Sequence, residues 1–152
     1  MKLRISSKSS RQFSIFFVFC LIGLSLYVIA LNCPTQLDDG RVWAECTPEQ
    51  LRNRLEHGSR WLVHLTFFLE YVLIGRVPAC VRLINLLFHA GTAVLLVMFI
   101  ELFFLHVPRR PLRRRFALMG GILFLCHPLA TMTVTYAAQR YAVMGLFFML
   151  LA

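Results

Sequence analysis

Residues 13–31 read FSIFFVFCLIGLSLYVIAL, a run of 19 residues without a charged side chain. A helix needs about 20 apolar residues to cross the hydrocarbon core of a bilayer, so this run predicts a transmembrane helix. The run is longer than the roughly 7–15 apolar residues of a signal peptide, and no A-x-A cleavage site follows it. We therefore expect the helix to remain uncleaved.

The composition of the whole chain agrees with a membrane protein. Its 152 residues are 59% hydrophobic and 15% charged, whereas soluble proteins average about 45–50% and 25%. Such a chain is too apolar to be disordered, and a soluble single domain of this length could not bury so much apolar surface.

Further apolar segments predict further spans. Residues 81–105 and 116–132 are predicted to be the second and third spans, and residues 141–152 the start of a fourth. Because 12 residues are too few to cross a bilayer, we expect the chain to be the first part of a longer protein.

The charged residues predict the orientation of these spans. Residues 1–12 hold four basic side chains and no acid, and residues 106–115 hold five arginines. Residues 32–80 hold six acids and five arginines, a net charge of −1. By the positive-inside rule, 1–12 and 106–115 are predicted to be cytoplasmic, and 32–80 and 133–140 to face outward.

This distribution accounts for the net charge of +9 without a nucleic-acid partner. The expected protein is an integral, multi-pass component of the lipid bilayer with a cytoplasmic N-terminus. We expect a bacterial plasma membrane rather than the endoplasmic reticulum.

The outward loop 32–80 contains an acidic pair, Asp38-Asp39, directly before Gly40. Two carboxylates at a membrane boundary suit sugar transfer. One can act as the general base, and its neighbour can orient it, bind a metal or raise its pKa. Asp-Asp-Gly is also typical of an ordinary exposed turn, and the sequence leaves both interpretations open.

Two short helices are predicted in the rest of this loop. Residues 47–50, TPEQ, have the pattern of a capping box, so a helix is predicted from Pro48 to about His57. Residues 61–75, WLVHLTFFLEYVLIG, predict an interfacial helix, with a poor transmembrane helix as the alternative. A disulfide between Cys33 and Cys46 is a hypothesis that the sequence leaves open.

Several polar residues near the predicted spans are candidates for binding or structural roles. Asn85 and His89 lie four residues apart on one helix face, where we expect structural hydrogen bonds to neighbouring helices rather than catalysis. His127-Pro128 is predicted to end or kink the third span, with His127 as a substrate contact or a helix-end anchor. Arg60 and Arg140 lie near the outward face, where each could bind a lipid phosphate or anchor the interface.

The order of these features resembles the N-terminal part of the GT-C superfamily of membrane glycosyltransferases. It is similar to the tetratricopeptide-repeat-bearing transmembrane O-mannosyltransferases and their bacterial relatives, over about residues 13–152. The motifs that carry the resemblance are the acidic pair, Asn85 with His89, and His127-Pro128 followed by Val134, Tyr136, Gln139 and Arg140. The resemblance implies a multi-span helical enzyme with a polyprenyl-phosphate sugar as donor and Asp38 and Asp39 as catalytic residues.

The combined prediction is an all-α, GT-C-like polytopic membrane protein that transfers a sugar with inversion on its outward face. Asp38 or Asp39 is the expected general base, Arg60 and Arg140 are the expected donor-phosphate ligands, and a protein or glycan is the expected acceptor. No resident cofactor or metal is expected, although the acidic pair could hold a divalent cation. The alternative is a non-catalytic membrane protein, a remnant or a transporter fragment. The acidic pair lies outside the predicted spans, which argues against transport.

Overall fold

The structure, a computed structural model, describes residues 2–33, 39–44, 47–57, 60–106 and 109–152. The elements in these ranges are α-helices and short 3-10 turns, which confirms the predicted all-α fold. The α-helices are α1 (Lys2–Leu31), α2 (Asp39–Ala44), α3 (Pro48–His57), α4 (Trp61–Ile74), α5 (Pro78–Phe103), α6 (Arg110–Cys126), α7 (Thr131–Thr135) and α8 (Arg140–Leu151). Two 3-10 turns, Pro128–Ala130 and Ala137–Gln139, flank α7.

Two helices in these ranges are long and apolar enough to cross a membrane. They are the Ser10–Leu31 part of α1 and the whole of α5. A third candidate is a bent pair, α6 followed by Pro128–Thr135, whose two parts meet at 53°. The predicted third span at 116–132 is therefore interrupted. Pro128 breaks it, because proline lacks the backbone N–H and clashes with the preceding turn.

The helix boundaries follow from local sequence signals. α1 begins at Lys2 rather than at 13, because residues 2–12 contain no proline or glycine that would stop a helix. Pro78 lies in the first turn of α5, where proline is favoured. At the start of α3, the Gln50 N–H donates to Thr47 Oγ1 over 3.3 Å, the cap that the sequence predicted.

Side-chain contacts at both ends show that α1 and α5 run antiparallel. Arg11, near the start of α1, forms a 3.1 Å ion pair with Glu101, near the end of α5. At the opposite end, the Arg82 guanidinium donates to the carbonyl oxygens of Leu31, at 2.9 Å, and Cys33. We call the end that holds residues 39–44, 60–82 and 131–141 the loop end, and the end that holds Arg11, Glu101 and residues 109–115 the arginine end.

The helices bury several polar side chains among the apolar ones of the core and expose many large apolar side chains. Asn85, His89, Thr92 and Arg140 are all fully buried, whereas Ile29 and Leu73 are 85% and 77% exposed. A water-soluble domain shows the reverse arrangement. This pattern therefore supports a lipid environment around the bundle.

Close packing of α5 against its neighbours depends on small residues. A Cβ added at Gly121 of α6 would lie 2.5 Å from Val97 Cγ2 of α5 and 3.0 Å from the Phe19 ring of α1. Small residues at such crossings let helix backbones approach one another, as is common in membrane bundles.

Gly121→Ala is therefore expected to lower the melting temperature of the purified protein. Overpacking of this kind costs about 1–3 kcal/mol, which exceeds the roughly 0.5–1 kcal/mol that alanine gains over glycine in a helix. Gly145→Ala in α8 is the matched control, because a Cβ there would meet no atom within 4 Å. Thermal unfolding in detergent measures both variants, and equal melting temperatures would contradict the packing argument.

Candidate functional site

Arg140, the first residue of α8, is the centre of a buried polar network at the loop end. Its side chain is 0% exposed. Its Nε donates to Asn85 Oδ1 over 2.7 Å, its NH1 to Glu70 Oε2 over 2.9 Å and to Thr66 Oγ1 over 3.3 Å, and its NH2 to the Val81 carbonyl over 2.9 Å. The guanidinium carbon also lies 4.0 Å from the centroid of the Phe67 ring, a cation–π contact. We call these residues the Arg140 network.

Glu70 is the acidic member of this network. Its side chain is 3% exposed, and its Oε1 has no hydrogen-bond partner within the part of the chain that the structure describes. Burial raises the pKa of the Glu70 carboxyl, while the charge and hydrogen bond of Arg140 act in the opposite direction. Because a buried carboxylate without a counter-charge is very costly, Glu70 depends on Arg140.

Asn85 of the Arg140 network and the neighbouring Arg82 hold the irregular segment between α6 and α8. Asn85 Nδ2 donates to the Tyr136 carbonyl, and Arg82 Nε donates to the Thr135 carbonyl, each over 3.0 Å. Both carbonyls lie where α7 ends and a 3-10 turn begins, so the regular helical hydrogen-bond pattern is interrupted there. The Tyr136 carbonyl also accepts the Gln139 N–H over 3.2 Å, and the α5 side chains supply further donors to both carbonyls.

Asp39, the first residue of α2, joins α2 to this segment. The side chain is 3% exposed, and its Oδ1 accepts the Ala137 N–H over 2.9 Å across 98 residues of chain. This bond caps the 3-10 turn Ala137–Gln139, directly before Arg140. Asp38, the other member of the predicted pair, lies outside the described residues, as does Cys46 of the hypothetical disulfide.

Arg60, His64 and Tyr141 form a cluster beside the network, in which Arg60 is exposed, Tyr141 is half-buried and His64 is buried. The Arg60 guanidinium carbon lies 5.5 Å from the Tyr141 ring centroid, and Tyr141 Oη lies 3.0 Å from His64 Nε2. Arg60 has φ 72°, a left-handed conformation that costs a non-glycine residue about 1–2 kcal/mol. Such strain is concentrated at functional sites, so it supports a functional role for this turn.

The loop end brings together some predicted site residues and not others. Asp39 and Arg60 both contact the segment 137–141, which contains Arg140. His89 lies further along α5, with its Nε2 3.4 Å from the Leu125 carbonyl and its ring against Phe124. His127 is exposed, and its Nδ1 accepts the Leu129 N–H over 3.2 Å, which caps a 3-10 turn. Substrate contact by His127 stays a prediction.

Sequence reasoning did not assign roles to Thr66, Glu70, His64 or Tyr141. For Thr66, Glu70 and His64 the sequence signal was the presence of polar residues in the apolar stretch 61–75, and for Tyr141 it was the position next to Arg140. Within the described ranges, no three histidine, cysteine, aspartate or glutamate side chains converge on a position that could hold a metal ion.

Comparisons with models of known protein families, with curated proteins and with solved structures found no match to this chain.

Proposed function

We propose that this protein acts in sugar transfer from a polyprenyl-phosphate donor, with inversion, at the loop end of the bundle. The observation that carries the proposal is the meeting of an acidic side chain, Asp39, and an exposed basic one, Arg60, on the same segment 137–141. Such a reaction needs a base for the acceptor hydroxyl and a cation for the phosphate that leaves. The resemblance to the GT-C superfamily supports the same assignment.

The proposed chemistry gives Asp39 the role of general base, which requires the acceptor hydroxyl to reach a residue that is 3% exposed. The acceptor hydroxyl loses its proton to the carboxylate while its oxygen attacks the sugar carbon. The bond from that carbon to the phosphate oxygen breaks, and its electron pair leaves with the lipid phosphate. Attack opposite the leaving group inverts the sugar carbon.

Arg60 is the proposed phosphate ligand. Its guanidinium is exposed and can form paired hydrogen bonds to phosphate oxygens. The α4 helix that follows Arg60 has exposed apolar side chains, Leu69, Val72 and Leu73, which suit contact with a polyprenyl chain. Headgroup and tail of one donor would then lie along one helix.

Arg140 is proposed to position the site rather than to bind the phosphate. All three of its guanidinium nitrogens donate to protein acceptors, and no part of its side chain is exposed. It sits between Ala137, whose N–H binds Asp39, and Tyr141, whose ring packs under Arg60. By holding the segment 137–141 in place, Arg140 fixes the positions of the Asp39 carboxylate and the Arg60 guanidinium.

Arg60→Gln is expected to lower the rate of sugar transfer by about 100-fold, the usual scale for the loss of one charge-stabilising donor. The assay is transfer from a panel of radiolabelled polyprenyl-phosphate sugars in membranes that contain the protein. Arg76→Gln is the matched control, because Arg76 is exposed and also lies 5.5 Å from a tyrosine ring, that of Tyr71. Equal losses in the two variants would remove Arg60 from the site.

A non-catalytic membrane protein is the second candidate. The observation that favours it is that all three guanidinium nitrogens of Arg140 donate to neighbouring protein groups, which is what a purely structural role requires. No transfer from any donor in the panel would favour this candidate over the enzyme.

A further inference from the structure

Five arginines lie at the start of α6, at the arginine end: Arg109, which directly precedes the helix, and Arg110, Arg113, Arg114 and Arg115 within it. Four are exposed and Arg113 is half-buried. Glu101 is the one acidic residue of the sequence beyond residue 70, and it pairs with Arg11 at 3.1 Å. In the described part of the chain, no carboxylate lies within ion-pair distance of the five arginines.

The position of these charges on α6 is unfavourable in the protein alone. The first turn of a helix carries a partial positive charge, and each basic side chain there costs about 0.3–1 kcal/mol. α6 has no acidic residue in its first turn and no side-chain cap. Arg110 also lies three residues before Arg113 and four before Arg114. Residues at these spacings are neighbours on a helix surface, so their like charges repel. A bound anion would relieve both costs.

An exposed apolar stripe continues from the arginines along α6. Leu112, Phe116, Met119 and Leu123 follow one another at intervals of three or four residues and are 39–67% exposed. Residues at this spacing share one helix face. The arginine end also lies where the apolar part of α1 begins and that of α5 ends, which is the expected level of a bilayer surface.

We propose that the arginine end binds anionic phospholipids of the surrounding membrane. The headgroup phosphate is held by the arginines at the start of α6, and an acyl chain lies along the stripe Leu112, Phe116, Met119 and Leu123. The positive charge at the start of α6 matches the anionic headgroup, and the apolar stripe on the same helix matches the acyl chain. A soluble phosphate or a nucleic acid would use the arginines and leave the stripe uncovered. This site is independent of the proposed sugar transfer at the loop end.

Native mass spectrometry of the detergent-purified protein tests the proposal, with phosphatidylglycerol and phosphatidylcholine of equal chain length added at equal concentration. We expect preferential retention of phosphatidylglycerol. Substitution of Arg109, Arg110, Arg113 and Arg114 by glutamine is expected to abolish that preference, with a loss of about fivefold in affinity for each arginine removed. A second variant, Phe116→Ser with Met119→Ser, keeps every charge and is expected to weaken lipid retention as well.

The matched control is Arg52→Gln with Arg76→Gln, which removes basic charge from the loop 32–80. It is expected to retain the preference, and size-exclusion profiles establish that each variant is folded. Equal retention of the two lipids by the unaltered protein would overturn the proposal. So would loss of the preference in the loop variant, or full competition by inorganic phosphate or by a short RNA.

Should the glutamine variant fail to fold, substitution of the same four arginines by lysine replaces it. Lysine keeps the charge, so this variant is expected to keep the preference for phosphatidylglycerol. Loss of that preference in a folded lysine variant would overturn the role of charge.

Discussion

Arg140→Met is expected to lower the free energy of unfolding by about 3–5 kcal/mol, the usual cost of removing one partner from a buried ion pair. Both side chains of the pair are enclosed, at 0% and 3% exposure for Arg140 and Glu70. Without the guanidinium, Glu70 keeps a buried carboxylate with no counter-charge, and Asn85 Oδ1 loses the donor at 2.7 Å. The melting temperature and the monodisperse fraction after detergent extraction report the loss.

Arg11→Gln provides the comparison for this prediction. The Arg11–Glu101 pair has a similar N–O distance, 3.1 Å, but its side chains are 33% and 21% exposed. Exposed pairs contribute about 0–1 kcal/mol, so this variant is expected to unfold within a few degrees of the unaltered protein. A loss equal to that of Arg140→Met would show that burial does not set the strength of the two pairs.

The double variant Arg140→Met with Glu70→Leu separates charge from packing. It removes both charges and leaves apolar side chains of comparable volume, a replacement that is often tolerated. We expect it to recover part of the stability that Arg140→Met loses. No recovery would mean that the hydrogen bonds to Asn85 and Val81, rather than the ion pair, stabilise the loop end.

Local signals in the sequence were sufficient to predict most of the helices. The apolar run at 13–31 and the run at 81–105 correspond to the apolar part of α1 and to α5, because hydrophobic length and helix propensity act within a segment. The cap at Thr47 predicted α3 from Pro48 to His57, the bounds that the structure has. The helix predicted at 61–75 corresponds to α4, and its interfacial position stays a prediction.

The site could not be predicted in the same way, because its contacts join distant parts of the chain. Asp39 binds a backbone N–H 98 residues away, and Arg140 pairs with a glutamate 70 residues before it. No local pattern encodes either distance. The sequence did indicate Asp39, Arg60 and Arg140 as candidates. Charged residues near apolar segments carry a desolvation cost, and those that occur there commonly have a functional role. Their meeting on the segment 137–141 required the fold.

Asp39→Asn is expected to lower sugar transfer by about 10²–10⁴-fold with little change in stability. The range is that of a general base whose proton-accepting group is removed. Asparagine keeps an oxygen that can accept the Ala137 N–H, so the 2.9 Å bond that caps the 3-10 turn can persist. The measurement is the transfer rate from the donor panel beside the melting temperature of the same preparation.

Asp39→Ala distinguishes the chemical role of this residue from its structural role. Alanine removes both the base and the cap, so transfer is expected to fall as in Asp39→Asn while the melting temperature also falls, by the equivalent of about 1 kcal/mol for a lost cap. Transfer that survives in Asp39→Asn and fails only in Asp39→Ala would make Asp39 a capping residue alone. The base would then have to be another group at the loop end, with Asp38 as the next variant to test.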